Sequence, residues 1–481
     1  MGSHTLRRTK IVCTIGPACN SPQGIDSLLH SGMNVARLNF SHGTLEEHER
    51  RINNIRAAQK QAGRPIAILL DIQGPKIRIG NVKDAPRQVK KGERLILTIN
   101  DNHPASNAIY VPYPSLTKDV CPGQVIFLDD GLIELRVEDV KINELVCVVV
   151  VGGELKSRKG LTLPGICVDL PPLGERDLEH IKFGVAKGVD YIAASFVRRA
   201  EHVEAVRQAV RAAGGDLPII AKVESEEGVR NIEEIVEAAD AVMVARGDLG
   251  IELPPEEVPL VQKHMIAQCN LAGKPVITAT QMLDSMVRNP RPTRAEVTDV
   301  ANAILDGTDA VMLSGETAVG KYAVEAVTTM HKVATHTEKA FEFGKLLNNT
   351  LSGGQACIAE AIARSTCDTA HCVNAVAILC STQSGASARL VSKYRPQAPI
   401  IAITPYQHVA QQLALVWGVY PMVGPRTNNT DDMMDAAISA ALESNLVAEG
   451  DVLAVAAGVR TGTPGSTNML LVHIVERRQG K

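Results

Sequence analysis

The chain has 481 residues, 45% of them hydrophobic and 21% charged, enough for about two to four globular domains. With 50 Lys and Arg against 53 Asp and Glu, the formal net charge is −3, which removes the electrostatic case for a nucleic-acid partner. The longest uninterrupted apolar run, residues 145–151, falls far short of the roughly 20 residues a membrane-spanning helix needs. Residues 6–10 lead straight into a strand-like segment without a leader pattern. The 10 cysteines are scattered singly with no C-x-x-C pair, as expected of buried thiols in a reducing, cytoplasmic setting.

In chain order, strand-like apolar runs alternate with amphipathic helical patterns. Runs at residues 9–16, 34–40 and 65–72 come first, followed after a long interruption by 190–196, 218–224, 241–247, 275–280 and 310–315. Helical patterns such as 44–61, 201–213 and 256–271 lie between them. Eight alternating units predict a (β/α)8 barrel. The interruption, about residues 74–171, has β-rich runs at 95–99, 108–113, 125–128, 132–140 and 145–151. It predicts a small all-β, barrel-like domain inserted after the third strand, placed to close over the barrel mouth as a lid. A helix is expected over 322–341. The tail then resumes β/α alternation, with strands at 375–380, 400–404, 419–423, 452–457 and 469–475, an open, mainly parallel α/β sheet. The expected division is 1–73 with 171–342 for the barrel, 74–170 for the lid and 343–481 for the C-terminal α/β domain.

Barrel active sites lie at the C-terminal ends of the strands, and polar residues gather at those ends here. On the fifth run, Lys222 and Glu224 are two positions apart and share a face. The sixth ends in Arg246, Gly247 and Asp248, the second carries Arg37, Asn39, Ser41 and His42, and the third Asp71, Lys76 and Arg78. The seventh ends at Thr280 and the eighth at Ser314 and Glu316. Two carboxylates at neighbouring strand ends suit a hard divalent cation, and a lysine beside them suits an anion bound to it. Singly, each has a plain structural role: a solvated arginine, a strand-end cap, an ordinary ion pair. Their concentration at one end of the barrel is what points to chemistry. The 13 histidines show no H-x-x-x-H metal spacing.

Longer stretches are more specific. Residues 9–17 (TKIVCTIGP), 39–43 (NFSHG), 221–224 (AKVE), 243–250 (MVARGDLG), 279–283 (ATQML), 292–296 (PTRAE) and 313–317 (LSGET) strongly resemble the pyruvate kinase family, and the resemblance runs over essentially the whole chain. It implies transfer of the phosphoryl group of phosphoenolpyruvate to ADP, giving pyruvate and ATP. It assigns Mg²⁺, with Mn²⁺ able to substitute, to Glu224 and Asp248. Lys222 would neutralise the moving phosphoryl group and the enolate. The substrate carboxylate would meet Thr280 and the backbone N–H groups around Gly247 and Asp248. Protonation of the enolate would use a water relay through Thr280, Ser314 and Glu316. Arg37 and Arg78 would grip phosphates, with Asn39, His42 and the lid residue Lys159 on the nucleotide side.

The same resemblance implies a homotetramer and a sugar-phosphate effector at Ser381, Thr382, Gln383, Ser384, Gly385 and Ser387, with Arg460 and Gly465 on a second loop. Members that need K⁺ hold it at positions matching Asn39, Ser41, Asp71 and the backbone of residue 72, and carry glutamate where this chain has Lys76. An ammonium there would supply the positive charge covalently, so K⁺ is expected not to be required. Two rival readings are a metal-dependent enolate lyase on the same barrel and a metabolite-sensing barrel without catalysis. ADP-dependent pyruvate release separates the first from a kinase, and comparison of wild type with Lys222→Met separates the second.

Overall fold

In the structure, a computed structural model describing residues 6–341, 343, 357–427, 429–443, 446–458 and 467–476, the eight expected runs form one closed parallel barrel. Its strands are Lys10–Thr14, Val35–Asn39, Ala67–Asp71, Tyr191–Ala194, Ile219–Val223, Ala241–Ala245, Val276–Ala279 and Ala310–Leu313, each beside its chain neighbour and the last beside the first. The strands read as continuous apolar runs because both of their faces are covered. Alternate residues such as Ile68, Leu70, Val242 and Val244 pack under the helices, while Val12, Val35, Leu69, Ile220, Met243 and Met312 fill the barrel interior. That interior is apolar only in its lower part. Two residues further along the same strands, on the same face, stand Thr14, Arg37, Asp71 and Lys222.

Helix starts follow local chemistry. Thr44 and Thr293 each accept from the backbone N–H three residues on, and Glu47 and Glu296 close the reciprocal half of a capping box. Helix Leu45–Ala62 ends on Gly63 in the left-handed region, φ 63°.

The insertion has its own core around Leu97, Ile126, Leu135 and Cys147. Six strands make its main sheet, in the order Leu161–Thr162, Val125–Leu128, Ile133–Val140, Glu144–Val151, Arg94–Thr98, Ala108–Tyr110. A two-stranded ribbon, Arg87–Val89 with Gly153–Leu155, lies beside it. The expectation of strands alone needs one amendment, a single helical turn at Leu116–Asp119.

The long helix expected over 322–341 is Ala323–Thr337 followed by a short 3-10 turn, Glu338–Ala340. The C-terminal sheet runs Val419–Val423, Ile400–Thr404, Ala377–Ser381, Val452–Ala457, Met469–Ile474, parallel except for the last strand. Ala414 and Leu415, just after helix Gln407–Leu413 of this unit, join the residues filling the barrel interior. Arg395, 3% exposed, reaches from this unit to Asp309 at 2.8 and 3.0 Å and to Asn270 at 2.7 Å, under the ring of Trp417. Among the described residues no helix is long and apolar enough to cross a membrane.

Candidate active site

The charged upper layer of the barrel is a connected set. The Lys222 ammonium lies 3.1 Å from Asp71, 3.0 Å from Glu224 and 2.5 Å from Ser195 Oγ. Arg37 reaches Asp71 at 2.7 Å and donates to Thr14 Oγ1 at 2.9 Å. All are buried: Lys222 is 8% exposed, Glu224 2%, Asp71 1%. Burial opposes each charge, and the neighbours decide the outcome. For Lys222, Asp71 and Glu224 outweigh burial and hold its pKa above the ordinary lysine value. For Asp71, Lys222 and Arg37 outweigh burial and hold its pKa low. Glu224 goes the other way. Burial raises its pKa, and Asp248 and Asp71 raise it further against the pull of Lys222, which is shared.

Phe196 N donates to Glu224 Oε2 at 2.7 Å, fixing that carboxylate at the strand end. Asp248 sits in the first turn of helix Arg246–Glu252, next to Gly247, whose N–H donates to Thr280 Oγ1 at 2.7 Å. Thr280 and Gln281 both have left-handed backbones, φ 68° and 53°, a costly conformation for a β-branched residue. Arg246 holds that bend, donating to Thr280 O at 2.7 Å and pairing with Asp299 at 2.7 Å. Arg246, one of the polar residues at the end of the sixth strand, is thus turned onto the protein.

The three side chains expected in the water relay each have their own surroundings. Glu316, 2% exposed, accepts from Leu283 N at 3.1 Å and Ser314 N at 2.7 Å. It ties the seventh- and eighth-strand loops together, and the hydrogen bonds described do not join Thr280, Ser314 and Glu316 into one chain. Ser314 Oγ is buried and has no hydrogen-bond partner among the described residues. On the rim, Asn39 Oδ1 accepts from Ser41 N at 3.1 Å, and the His42 side chain is exposed while its carbonyl accepts from His48 Nε2 at 2.9 Å. Arg78 is exposed and donates to Arg158 O at 3.2 Å.

Lys76 is neither turned to open solvent nor placed among Asn39, Ser41 and Asp71. Its ammonium pairs with Asp130 of the insertion at 2.9 Å and with Asp248 at 3.6 Å. Burial opposes its charge, but Asp248 and Asp130 outweigh burial and raise its pKa. Lys159 pairs with the adjacent Asp129 at 2.8 Å. In the C-terminal unit, Gly385 N donates to Thr382 Oγ1 at 3.0 Å, and Gly385, φ 82°, opens helix Ala386–Lys393. Ser387 Oγ lies 2.5 Å from Thr467 Oγ1, and Ser384 O accepts from Arg389 at 2.9 Å. Arg460 and Gly465 lie outside the described residues.

A family model for the pyruvate kinase barrel domain matches residues 6–327, and one for the pyruvate kinase alpha/beta domain matches residues 360–473. The chain belongs to the pyruvate kinase family. It is 54% identical over 472 residues to the pyruvate kinase of Geobacillus stearothermophilus, across 98% of this chain and 80% of that protein. Against a Staphylococcus aureus pyruvate kinase the identity is 49% over 472 residues, 98% of this chain and 81% of the relative. Like these members of the pyruvate kinase family, the chain is a phosphotransferase.

Four residues at this pyruvate kinase site escaped the reading of the sequence: Thr14, Ser195, Asp129 and Asp130. Thr14 ends the first strand and Ser195 directly follows the fourth, so the rule that singled out Thr280 would have reached them. The two aspartates lie in a turn of the insertion, where no strand-end rule applies.

Proposed function

We propose that this chain catalyses transfer of the phosphoryl group of phosphoenolpyruvate to ADP, releasing pyruvate and ATP. The observation that carries the reading is the buried Lys222 ammonium held between Asp71, Glu224 and Ser195 at the barrel mouth. Phosphoryl transfer demands positioning and charge neutralisation more than covalent help, and this is a fixed cation in a dry setting. Lys222 would stabilise the charge of the moving group and of the enolate left behind. Arg37, oriented by Asp71 and Thr14, would hold the phosphate. Thr280 would contact the substrate carboxylate together with the start of helix Arg246–Glu252. The Thr280 hydroxyl already accepts from Gly247 N, so substrate would compete for that N–H. Ser314, with its unpartnered hydroxyl, is the better candidate for passing a proton through water, and Glu316 would position it through the backbone.

Glu224 and Asp248 fit Mg²⁺. Both are hard oxygen donors at neighbouring strand ends, and burial together with Asp248 and Asp71 raises the pKa of Glu224. Among the described residues no group of three or more His, Cys, Asp or Glu is arranged to hold a metal. When bound, Mg²⁺, or Mn²⁺ in its place, supplies charge neutralisation at the phosphate and carboxylate of the substrate. Asn39, His42, Arg78 and Lys159 would line the nucleotide side.

We read the working units as 1–73 with 171–342, 74–170 and 343–481, assembled as a cytoplasmic homotetramer of glycolysis. Two finer points belong to the same reading. The ammonium of Lys76 stands in the acidic cluster of Asp248 and Glu224, so activity should not require K⁺; a manyfold rise in rate with KCl at fixed ionic strength would refute this. A phosphorylated sugar would bind the turn from Ser381 to Ser387, where hydroxyls and backbone N–H groups gather at the start of a helix and would exchange their present partners for phosphate oxygens, and activate by preferring the active state. An unchanged sugar-phosphate response in Ser384→Asp would place the effector elsewhere.

The main reading is tested by a lactate dehydrogenase-coupled assay with phosphoenolpyruvate, ADP and MgCl₂. Pyruvate formation that depends on ADP and is lost in Lys222→Met is the expected result. Turnover of a keto-acid adduct without ADP would replace the kinase by a lyase.

A further inference from the structure

The rim loop that carries His42 is built onto the helix that follows it. Ser41 N donates to Asn39 Oδ1 at 3.1 Å and His42 N to Asn39 O at 3.4 Å, so the chain turns at the end of the second strand. Gly43, φ 89°, then lays the loop across the start of helix Leu45–Ala62. A Cβ at Gly43 would come 2.8 Å from Glu47 Oε2 and 3.5 Å from His48 Nε2, an approach that suits only a residue without one. His48 is 1% exposed. Its ring stacks on Phe40 with centroids 3.8 Å and planes 10° apart, and His180 meets Phe40 edge-on at 5.0 Å. Both ring nitrogens of His48 are taken. Nε2 lies 2.9 Å from the carbonyl oxygen of His42, which only accepts, and Nδ1 lies 3.4 Å from the Arg51 guanidinium, which only donates. Together the two contacts select the neutral tautomer protonated at Nε2. Burial, and then the charge of Arg51, lower the pKa of the ring from 6.5 to about 4. Near neutral pH the imidazole is therefore a fixed donor and does not titrate.

Filling space under a loop needs only an apolar side chain. His48 does more, because of what it grips. The carbonyl it holds belongs to His42 itself, and the ring it stacks on is Phe40, between Asn39 and Ser41. One buried side chain thus fixes the backbone on both sides of Ser41, and with it the directions in which Asn39 and His42 leave the chain. We propose that His48 is a positioning residue for the nucleotide: it holds residues 39–43 in the conformation that receives ADP. A loop set in advance does not have to be ordered when the ligand arrives, and affinity gains by the cost avoided. This rests on the reading of His42 as a nucleotide contact.

The test uses the full chain with MgADP. Affinity is measured by calorimetry without turnover, and KM for ADP and for phosphoenolpyruvate in the coupled assay. It compares wild type, His48→Phe, His48→Gln, His42→Ala and the double variant of His42→Ala with His48→Phe. Phenylalanine keeps a ring against Phe40 and removes both nitrogens. Glutamine keeps an N–H for the carbonyl of His42 and loses the ring. His48→Phe is expected to raise the MgADP Kd and the KM for ADP about three- to tenfold, the worth of one hydrogen bond. The KM for phosphoenolpyruvate and kcat should stay within about twofold, and His48→Gln should recover most of the loss. In the His42→Ala background His48→Phe should add a clearly smaller factor. Should the phenylalanine variant not fold, His48→Leu, which also lacks the donor, makes the same comparison with glutamine. An unchanged MgADP affinity would remove the role, and no recovery in His48→Gln would show that the ring alone matters. A rise in both KM values with a fall in kcat would show a general loosening of the barrel mouth. The same factor in both backgrounds would show that His48 does not act through His42. Each of these overturns the proposal alone, whereas unchanged MgADP affinity in His42→Ala would overturn the reading of His42 as well.

Discussion

Lys222→Met removes the one charge common to three groups in the barrel mouth. Methionine keeps the length and apolar stem of the side chain, so the space is filled and only the ammonium is lost. In the folded protein this leaves Asp71 with Arg37 at 2.7 Å, and Glu224 with the Phe196 N–H at 2.7 Å but no cation. Taking one partner from a buried ion pair costs about 3–5 kcal/mol where the remaining charge stays. Glu224 relieves part of that by taking up a proton, since burial and its acidic neighbours already raise its pKa. A loss of stability at the low end of that range is therefore expected. For catalysis the missing cation is one aimed at developing charge, for which single deletions cost about 10²–10³ in kcat, or about 2.7–4 kcal/mol. The assay is kcat and kcat/KM for phosphoenolpyruvate at saturating ADP and Mg²⁺, with circular dichroism to show that the barrel is retained. A retained fold with kcat within tenfold of wild type would refute the role given to Lys222.

Other expectations follow from buried groups elsewhere. Arg395→Met strands Asp309, Asn270 and the carbonyl of Gly307 at the junction of barrel and C-terminal unit, so a destabilisation of about 3–5 kcal/mol is expected. Trp417, the single tryptophan, lies under the Arg395 guanidinium with 4.9 Å to its ring centroid, and its emission in urea should report the junction opening before far-UV ellipticity is lost; coincident and unshifted transitions would contradict this. His48 stacks on Phe40 at 3.8 Å and its Nε2–H donates to the carbonyl of His42, while burial lowers its pKa from 6.5 to about 4. The unfolded chain then binds more protons than the folded one between those values, so this contribution is present above pH 6.5 and lost as pH falls through about 4. His48→Gln should flatten the decline of the urea midpoint between pH 7 and pH 4.5, and an unchanged slope would show that other groups set it.

The barrel was legible because a parallel strand covered on both faces must be apolar almost throughout, and eight such runs alternate with helical patterns along the chain. The pairing of Lys222 with Glu224 was legible for an equally local reason, since strand residues two apart share a face. The partners of these groups were not. Asp71 meets Lys222 across 151 residues of chain, and Asp130 meets Lys76 across 54, distances over which periodicity carries no information. Glu316 shows the same limit. Its position at a strand end marked it for chemistry, but only the closed barrel brings Leu283 N and Ser314 N to its two oxygens and makes it a structural tie. Lys76 was singled out by type, but its partners Asp130 and Asp248 could not be read from the sequence, because they lie in a turn of the insertion and at a barrel strand end that only the fold brings to it. Local backbone geometry determined which residues point into the barrel mouth. Tertiary packing decided which of them share a charge, because each pairing joins side chains from elements that meet only when the barrel closes and the insertion folds over it.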